Sequence, residues 1–238
     1  MADRFFYPNP PVDGIATLEG DEARHLARVR RVAVGECVEL FDGKGRAFRA
    51  EVEGLGRDRV TLRIVGPGPD SGVPACSLTL ATAVPKGDRF DWLVEKATEV
   101  GVARLVPLTT ARSVVDPRAT KLDRLRRAII EAAKQSRRDR LMDLDAAVAW
   151  SALVRDGRAP FRYIADPSGP PIAAVEPPAR GSSAILAIGP EGGFAPEELA
   201  EAADQGWRPV GLGAHILRIE TAALVGAATL LALSEAAG

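Results

Sequence analysis

A chain of 238 residues accommodates two modest domains or one large one, and ordinary hydrophobic (46%) and charged (26%) fractions describe a globular protein rather than a disordered or fibrous one. A net charge of −1 argues against a generic nucleic-acid binder. Two isolated cysteines (Cys37, Cys76) and two histidines (His25, His215) argue against a disulfide framework, a Cys/His metal site and a Ser-His-Asp constellation, so no metal is expected.

No apolar run reaches the roughly 18–20 residues a membrane span needs. The start, Met1-Ala2-Asp3-Arg4-Phe5-Phe6-Tyr7-Pro8, lacks the apolar core and cleavage site of a signal peptide, which makes a cytoplasmic location the expectation. In chain order, Asp21 predicts the cap of a short helix over Glu22–Arg31. Cys37–Phe41, the Asp42-Gly43 turn, Arg46–Val52 and Arg59–Val65 alternate apolar and polar residues as half-buried strands do, predicting a small β-barrel with one helix. The Gly/Pro/Ser-rich stretch Val65–Pro74 reads as a linker, dividing the chain at 1–72 and 73–238.

Beyond the linker, strands and helices alternate. Strands are expected at Leu78–Val84, Ala103–Pro107, Phe161–Ala165, Ala184–Ile188 and Pro209–Leu212. Helices are expected at Asp88–Val100, Arg118–Arg138, Pro196–Gln205 and Ile216–Ala236. This pattern predicts an α/β domain built on a mainly parallel sheet covered on both faces. The last helix is apolar almost all round, and burial against a second copy of the chain is the expected use of it.

Charge is unevenly spread. Residues 74–140 carry 14 Lys/Arg against 8 Asp/Glu, whereas 141–238 carry 6 against 12. The basic helix (Lys121, Arg124, Arg126, Arg127, Lys134, Arg137, Arg138, Arg140) and a cluster in the first domain (Arg24, Arg28, Arg30, Arg31) read as surfaces for a polyanion such as RNA.

The densest chemical signal is C-terminal. Gly189-Pro190-Glu191-Gly192-Gly193 and Leu212–Ala222 each follow an expected strand, the place where open α/β sheets bind ligands. Glycines there allow a tight turn or close approach of backbone donors to an anion or a purine edge. Gly211-Leu212-Gly213 falls short of the dinucleotide fingerprint, because Ile216 stands where its third glycine belongs, and no phosphate-binding Gly-Lys-Ser/Thr loop occurs. Arg218 and Glu220 stand among Ile216, Leu217, Ile219 and Ala222; polar residues in such a run are partnered or functional.

Several blocks, in order, resemble one family. They are His25-Leu26-Ala27-Arg28-Val29-Arg30-Arg31 with Gly35 and Phe41-Asp42-Gly43; Lys86-Gly87-Asp88-Arg89; Glu95–Val102; Arg112-Ser113; Ala132–Ser136; Gly189–Gly193; and Leu212–Ala222. The chain is similar nearly end to end to the RsmE-type ribosomal RNA uridine-N3 methyltransferases of the SPOUT superfamily. The resemblance implies a PUA-like β-barrel RNA-binding domain followed by a SPOUT α/β domain with a trefoil knot, a homodimer without membrane attachment, S-adenosylmethionine as cofactor, and small-subunit (16S) ribosomal RNA or the 30S particle as partner. It implies cofactor contacts from Ile188, Gly189, Pro190, Glu191, Gly192, Gly193, Leu212, Gly213, Ile216, Leu217, Arg218, Thr221 and Ala222. It implies catalytic roles for Arg218, which would stabilise a uridine anion, and Glu220, which would orient Arg218 or accept the proton. RNA contacts are expected from Arg24, Arg28, Arg30, Arg31, Lys86, Arg89, Arg112, Arg137 and Arg138. The chain departs from the pattern at Ala214-His215 (usually Pro-Arg), Ile219 (Thr), Lys134 (Glu) and Arg137 (Gly). The arginine missing at His215 removes one expected contact, and Lys134 and Arg137 are expected to add positive charge toward RNA. A transfer-RNA ribose 2′-O-methyltransferase of related fold and a non-catalytic RNA-binding module are the rival readings.

Overall fold

The computed structural model describes residues 3–69, 72, 74–115 and 119–237. Asp70, Ser71 and Val73 of the expected linker and Arg118 of the expected basic helix lie outside the described residues. The chain forms two compact units: Met1–Gly72 with Ala133–Leu141, and Val73–Ala132 with Met142–Gly238.

The first unit is a mixed five-stranded sheet with strand order β1-β3-β4-β5-β2. Its strands are β1 (Arg4–Phe6), β2 (Ile15–Glu19), β3 (Cys37–Phe41), β4 (Ala47–Leu55) and β5 (Arg59–Pro67). β1 runs parallel to β3 and the other pairings are antiparallel. Alternation along β3, β4 and β5 sends Val38, Leu40, Ala50, Val52, Val60 and Leu62 into one core with Phe5 and Leu26. β1 and β2, the edge strands, have no counterpart in the sequence expectation; three and five residues are too few to display a period. The expected helix over Glu22–Arg31 is instead a short α1 (Gly20–Arg24) running into a π-helical turn, His25–Arg30. Asp21 is not its cap. Its carboxylate pairs with Arg24, and the N-cap residue is Glu19.

Ala133–Leu141 joins this unit through charge. Arg4 forms a buried ion pair with Asp139 and donates to the Arg138 carbonyl at 3.0 Å, while its guanidinium lies 4.4 Å from the centre of the Phe41 ring. Lys134 pairs with Glu22 at 2.9 Å and Arg137 with Glu39 at 3.2 Å.

The second unit carries a parallel sheet of order β12-β10-β11-β6-β7-β8, with β9 also on β7. Its strands are β6 (Ser77–Ala83), β7 (Arg104–Thr109), β8 (Asp143–Leu144), β9 (Val148–Ala149), β10 (Phe161–Ala165), β11 (Ser183–Ile188) and β12 (Arg208–Val210). Every strand pairing in it is parallel, as the alternating pattern predicts. The α-helices that follow are α2 (Arg89–Val100), α3 (Ala119–Ser136), α4 (Trp150–Asp156), α5 (Pro196–Asp204) and α6 (Ile219–Ala236), with a short 3-10 turn at Ile172–Ala174. The two-residue strands β8 and β9 and the seven-residue α4 are too short for a periodic signal and have no counterpart in the sequence expectation. α4 and α5 bring Trp150, Val154 and Ala202 onto a core with Ile164, Ile185 and Phe194. α6 packs on β6, β11 and α2. It comes close because residue 226 is glycine: a Cβ there would stand 2.7 Å from the Leu186 side chain.

α6 also corrects the expectation that no apolar run reaches membrane-spanning length. Its 18 residues have a mean hydropathy of 1.4, enough to cross a bilayer on length and composition, yet half of it is buried inside the protein, as in a core helix.

The Arg4–Asp139 pair makes a stability prediction. Burial pulls the Arg4 guanidinium below its ordinary pKa and the Asp139 carboxylate pushes the other way. Asp139→Ala leaves a buried cation uncompensated and is expected to cost about 3–5 kcal/mol, whereas Arg4→Met with Asp139→Leu together costs less than the single change. Chemical denaturation followed by circular dichroism measures both.

Candidate functional site

Three loops at the carboxyl ends of neighbouring strands enclose one cavity of about 580 Å³. Ala165-Asp166-Pro167 closes β10, Ile188–Phe194 closes β11, and Val210–Leu217 follows β12, with Ile219 and Ala222 of α6 completing the wall. In a parallel sheet every strand ends on the same edge, so the order β12-β10-β11 places the three loops side by side.

The β11 loop takes its shape from its glycines. A Cβ on Gly189 would lie 2.9 Å from the Phe194 ring, which folds back across the loop. Gly193 has φ +70, a left-handed conformation, and its N–H closes the turn onto the Pro190 carbonyl at 2.8 Å. Downstream, the Glu198 carboxylate caps the start of α5 and ties it to the segment after β7: Oε2 accepts from Ala195 N and Oε1 from Ala111 N, each at 2.8 Å.

Of the expected cofactor residues, Ile188, Gly189, Pro190, Glu191, Gly192, Gly193, Leu212, Gly213, Ile216, Leu217 and Ala222 line the cavity. Arg218 and Thr221 do not. Arg218 is the exposed N-cap of α6, which starts at Ile219 rather than Ile216. Ile219 and Ala222, three apart, share the face toward the cavity, and Thr221 lies on the exposed side. Ala214, His215 and Ile219, within the expected Leu212–Ala222 wall, line the cavity as well, whereas sequence reasoning missed Ala165, Asp166, Pro167, Phe194 and Val210. Phe161–Ala165 is an expected strand ending in an Asp-Pro-Ser-Gly turn, but only the sheet order sets that turn beside the other two loops.

The cavity is apolar at Ile188, Phe194, Val210, Leu212, Leu217 and Ile219, has bare backbone at its glycines, and carries the carboxylates of Asp166 and Glu191. Asp166 accepts from Ser168 N at 2.7 Å through Oδ1, and its own N–H is bonded to the Val210 carbonyl at 3.0 Å. Ile216 stands 95% exposed on the rim.

Glu220 is buried at 6% exposure. Its ion-pair partner is Arg89, at the start of α2, with Nη1 to Oε1 at 3.5 Å; its Oε2 is buried with no hydrogen-bond partner among the described residues. Arg89 also faces Glu191 at 3.5 Å. Arg112, which follows β7, donates to the Gly192 carbonyl at 2.6 Å.

The remaining basic residues differ in availability. Arg24 pairs with Asp21, and Arg30 with Asp3, a hydrogen bond that raises the Arg30 pKa. Arg137 is held by Glu39, and burial lowers the pKa of Arg138. Arg28 and Arg31 are exposed with no ion pair among the described residues, as is Lys86. Arg31 caps the π-helical turn in a left-handed conformation, φ 55. Within α3, Arg124 pairs with Asp91 and Arg126 with Asp123.

Comparison with known proteins agrees with this architecture. The RNA methyltransferase domain family matches residues 73–231, and the RNA methyltransferase PUA domain family matches 18–65. A ribosomal RNA small subunit methyltransferase E from Mycobacterium bovis is 34% identical over 94% of this chain and 90% of its own length. One from Synechocystis is 30% identical over 96% of this chain and 76% of its own. Among solved structures, a ribosomal RNA small subunit methyltransferase E from Neisseria gonorrhoeae bound to S-adenosyl methionine superimposes with a TM-score of 0.89 at 27% identity, covering 98% of each chain. A Legionella pneumophila protein solved in complex with the same cofactor gives 0.85 at 30% identity, again over 98% of each. With both domains matched in order and relatives aligned over most of its length, the chain belongs to the ribosomal RNA small subunit methyltransferase E family, an α/β RNA methyltransferase domain preceded by a PUA-like domain.

Proposed function

We propose that this protein transfers the methyl group of S-adenosylmethionine to N3 of a uridine in small-subunit (16S) ribosomal RNA, with residues 1–72 serving RNA binding and 73–238 the transfer. The observation that carries the reading is the single cavity that the β10, β11 and β12 loops form at one sheet edge, with a volume in the range of small-molecule sites. Relatives of the same family hold S-adenosylmethionine.

The residues present suit that cofactor. Ile188, Phe194, Leu212 and Leu217 offer apolar walls for an adenine plane, and the glycine backbone offers edge donors and acceptors. Asp166 and Glu191 place negative charge where a cationic, hydroxyl-bearing ligand would meet it. When bound, the cofactor supplies a sulfonium methyl that needs no metal activation.

The chain's own task is to hold the base in line and stabilise the anion left when the uracil N3 proton departs. Arg218, exposed at the N-cap of α6 beside the cavity wall, is placed for a charge-assisted contact to the uracil carbonyl oxygens. Glu220 takes Arg89 as its partner, which favours proton acceptance over orientation of Arg218, and its unpartnered Oε2 is the atom for that role. The target base leaves any stack or pair to reach the site. Acting on ribosomal RNA, the enzyme works in the cytoplasm.

A homodimer belongs to the same reading. On α6, Thr221, Val225, Ala228 and Ala232 form an exposed, largely apolar stripe at helical spacing, and Val225 is 39% exposed. A second copy covering this stripe accounts for a helix apolar on both sides.

Arg218→Ala is expected to abolish methylation of small-subunit RNA while S-adenosylmethionine affinity, measured by calorimetry, stays within a few-fold; equal loss of both rejects the catalytic role. In a strain lacking the gene, nucleoside analysis should show N3-methyluridine missing from 16S ribosomal RNA and restored by the wild-type gene; a missing 2′-O-methyl group in transfer RNA instead would reject the assignment. For the dimer, Val225→Glu is expected to yield a monomer in light scattering with activity reduced at least about tenfold.

A further inference from the structure

We infer that Arg89 and Arg112 are positioning residues that brace the Gly189–Gly193 loop, not contacts for RNA. This rests on the reading of the cavity as the methyl-donor site and names two side chains that prepare it.

Arg112 sits in a turn locked by Ser113, whose Oγ accepts from Thr110 N at 2.9 Å. Its Nη1 donates to the Gly192 carbonyl at 2.6 Å and reaches the Phe194 carbonyl at 3.4 Å. The side chain also packs on the loop: a Cβ at Gly192 would meet Arg112 Cδ at 3.4 Å. One residue earlier, Ala111 N donates to Glu198, the same carboxylate that caps α5. The segment after β7 thus holds the cavity loop through Arg112 and the first turn of α5, which follows that loop, through Ala111.

Arg89 grips it from another side. Nε donates to the Lys86 carbonyl at 3.1 Å, Nη2 faces Glu191 at 3.5 Å and Nη1 faces Glu220 at 3.5 Å. One guanidinium therefore links the β11 loop to the first turn of α6, the two walls that hold cofactor and proposed proton acceptor. Its side chain is only 32% exposed.

The reason for such bracing lies in the loop's composition. Glycine loses more backbone freedom on ordering than any other residue, so a loop with glycine at 189, 192 and 193 is costly to fix when a ligand arrives. Hydrogen bonds made beforehand lower that cost and appear as cofactor affinity. Guanidinium donors committed to loop carbonyls and carboxylates are also poorly available to phosphate.

Calorimetry with S-adenosylmethionine and filter binding of small-subunit RNA across a salt series, on the full chain, separate the two roles. Arg112→Ala is expected to raise the cofactor Kd and KM about tenfold, with kcat at saturating cofactor within two-fold. RNA affinity and its salt slope should stay unchanged. Arg112→Lys, which keeps one donor for one carbonyl, should recover part of the loss, a rescue that a loosened fold would not show. Arg89→Ala combined with Glu191→Gln should be non-additive in cofactor affinity. A lower RNA affinity and shallower salt slope with cofactor binding intact would overturn the inference, as would additivity in the Arg89 and Glu191 pair. If the wild-type protein neither binds the cofactor nor methylates RNA, the functional reading itself fails and this inference with it.

Discussion

Parallel pairing of β12, β10 and β11 is the constraint on which the site depends. Parallel strands deliver all their C-terminal loops to one edge, so adjacency in the sheet becomes adjacency of loops. Three segments separated by tens of residues in the chain share one cavity for this reason alone. The order is held by burial: Tyr163, Leu186, Ala187 and Val210 are inaccessible, and Gly226 lets α6 press against the β11 side of the sheet. Tyr163 adds a polar lock. Its hydroxyl donates to the Glu176 carbonyl at 2.6 Å, and burial pushes its pKa up to about 12, keeping it a neutral donor.

What was legible in the sequence follows from where physical signals are strong. Long strands with a clear apolar pattern and helices with caps or stop residues were placed within a few residues; α2 ends at Gly101, in a left-handed conformation, as expected. The two glycine-rich loops were legible because their composition has few other uses beside a strand end. β8, β9 and α4 were not, because two to seven residues carry no period and their positions are set by tertiary pairing with β7 and packing on α5. The Asp166 loop was overlooked for a related reason: nothing local marks an Asp-Pro-Ser-Gly turn as a cavity wall until β10 is known to lie between β11 and β12.

Charge was read least well. A basic residue in a sequence looks like a free cation, yet most of those singled out have partners in the fold. Arg24 and Arg30 face Asp21 and Asp3, Arg89 faces Glu191 and Glu220, and Arg112 is spent on backbone carbonyls. The partners lie as far as 131 residues away along the chain in the case of Arg89 and Glu220, beyond the reach of any local count. Of the four arginines singled out in the first unit, Arg28 and Arg31, exposed on the π-helical turn and its left-handed end, are the two with no ion pair among the described residues.

The family departures at Lys134 and Arg137 follow the same logic. Both were expected to turn positive charge toward RNA, and both are instead tied to carboxylates of their own unit, Glu22 and Glu39. Arg137 has φ 61, the left-handed conformation in which the family's usual glycine costs nothing and a side chain costs about 1–2 kcal/mol. Two 3.2 Å contacts from its guanidinium to the Glu39 oxygens, half shielded from water, are of the size needed to offset that strain. Lys134 approaches the His25 ring nitrogen at 3.4 Å as well as Glu22, whose other oxygen accepts from Phe6 N at 3.1 Å. A lysine there thus joins the β1 edge, α1 and the start of the π-helical turn through one carboxylate. Both substitutions are accommodated by pairing inside the first unit, so a count of basic residues overstates the charge that these two positions turn outward.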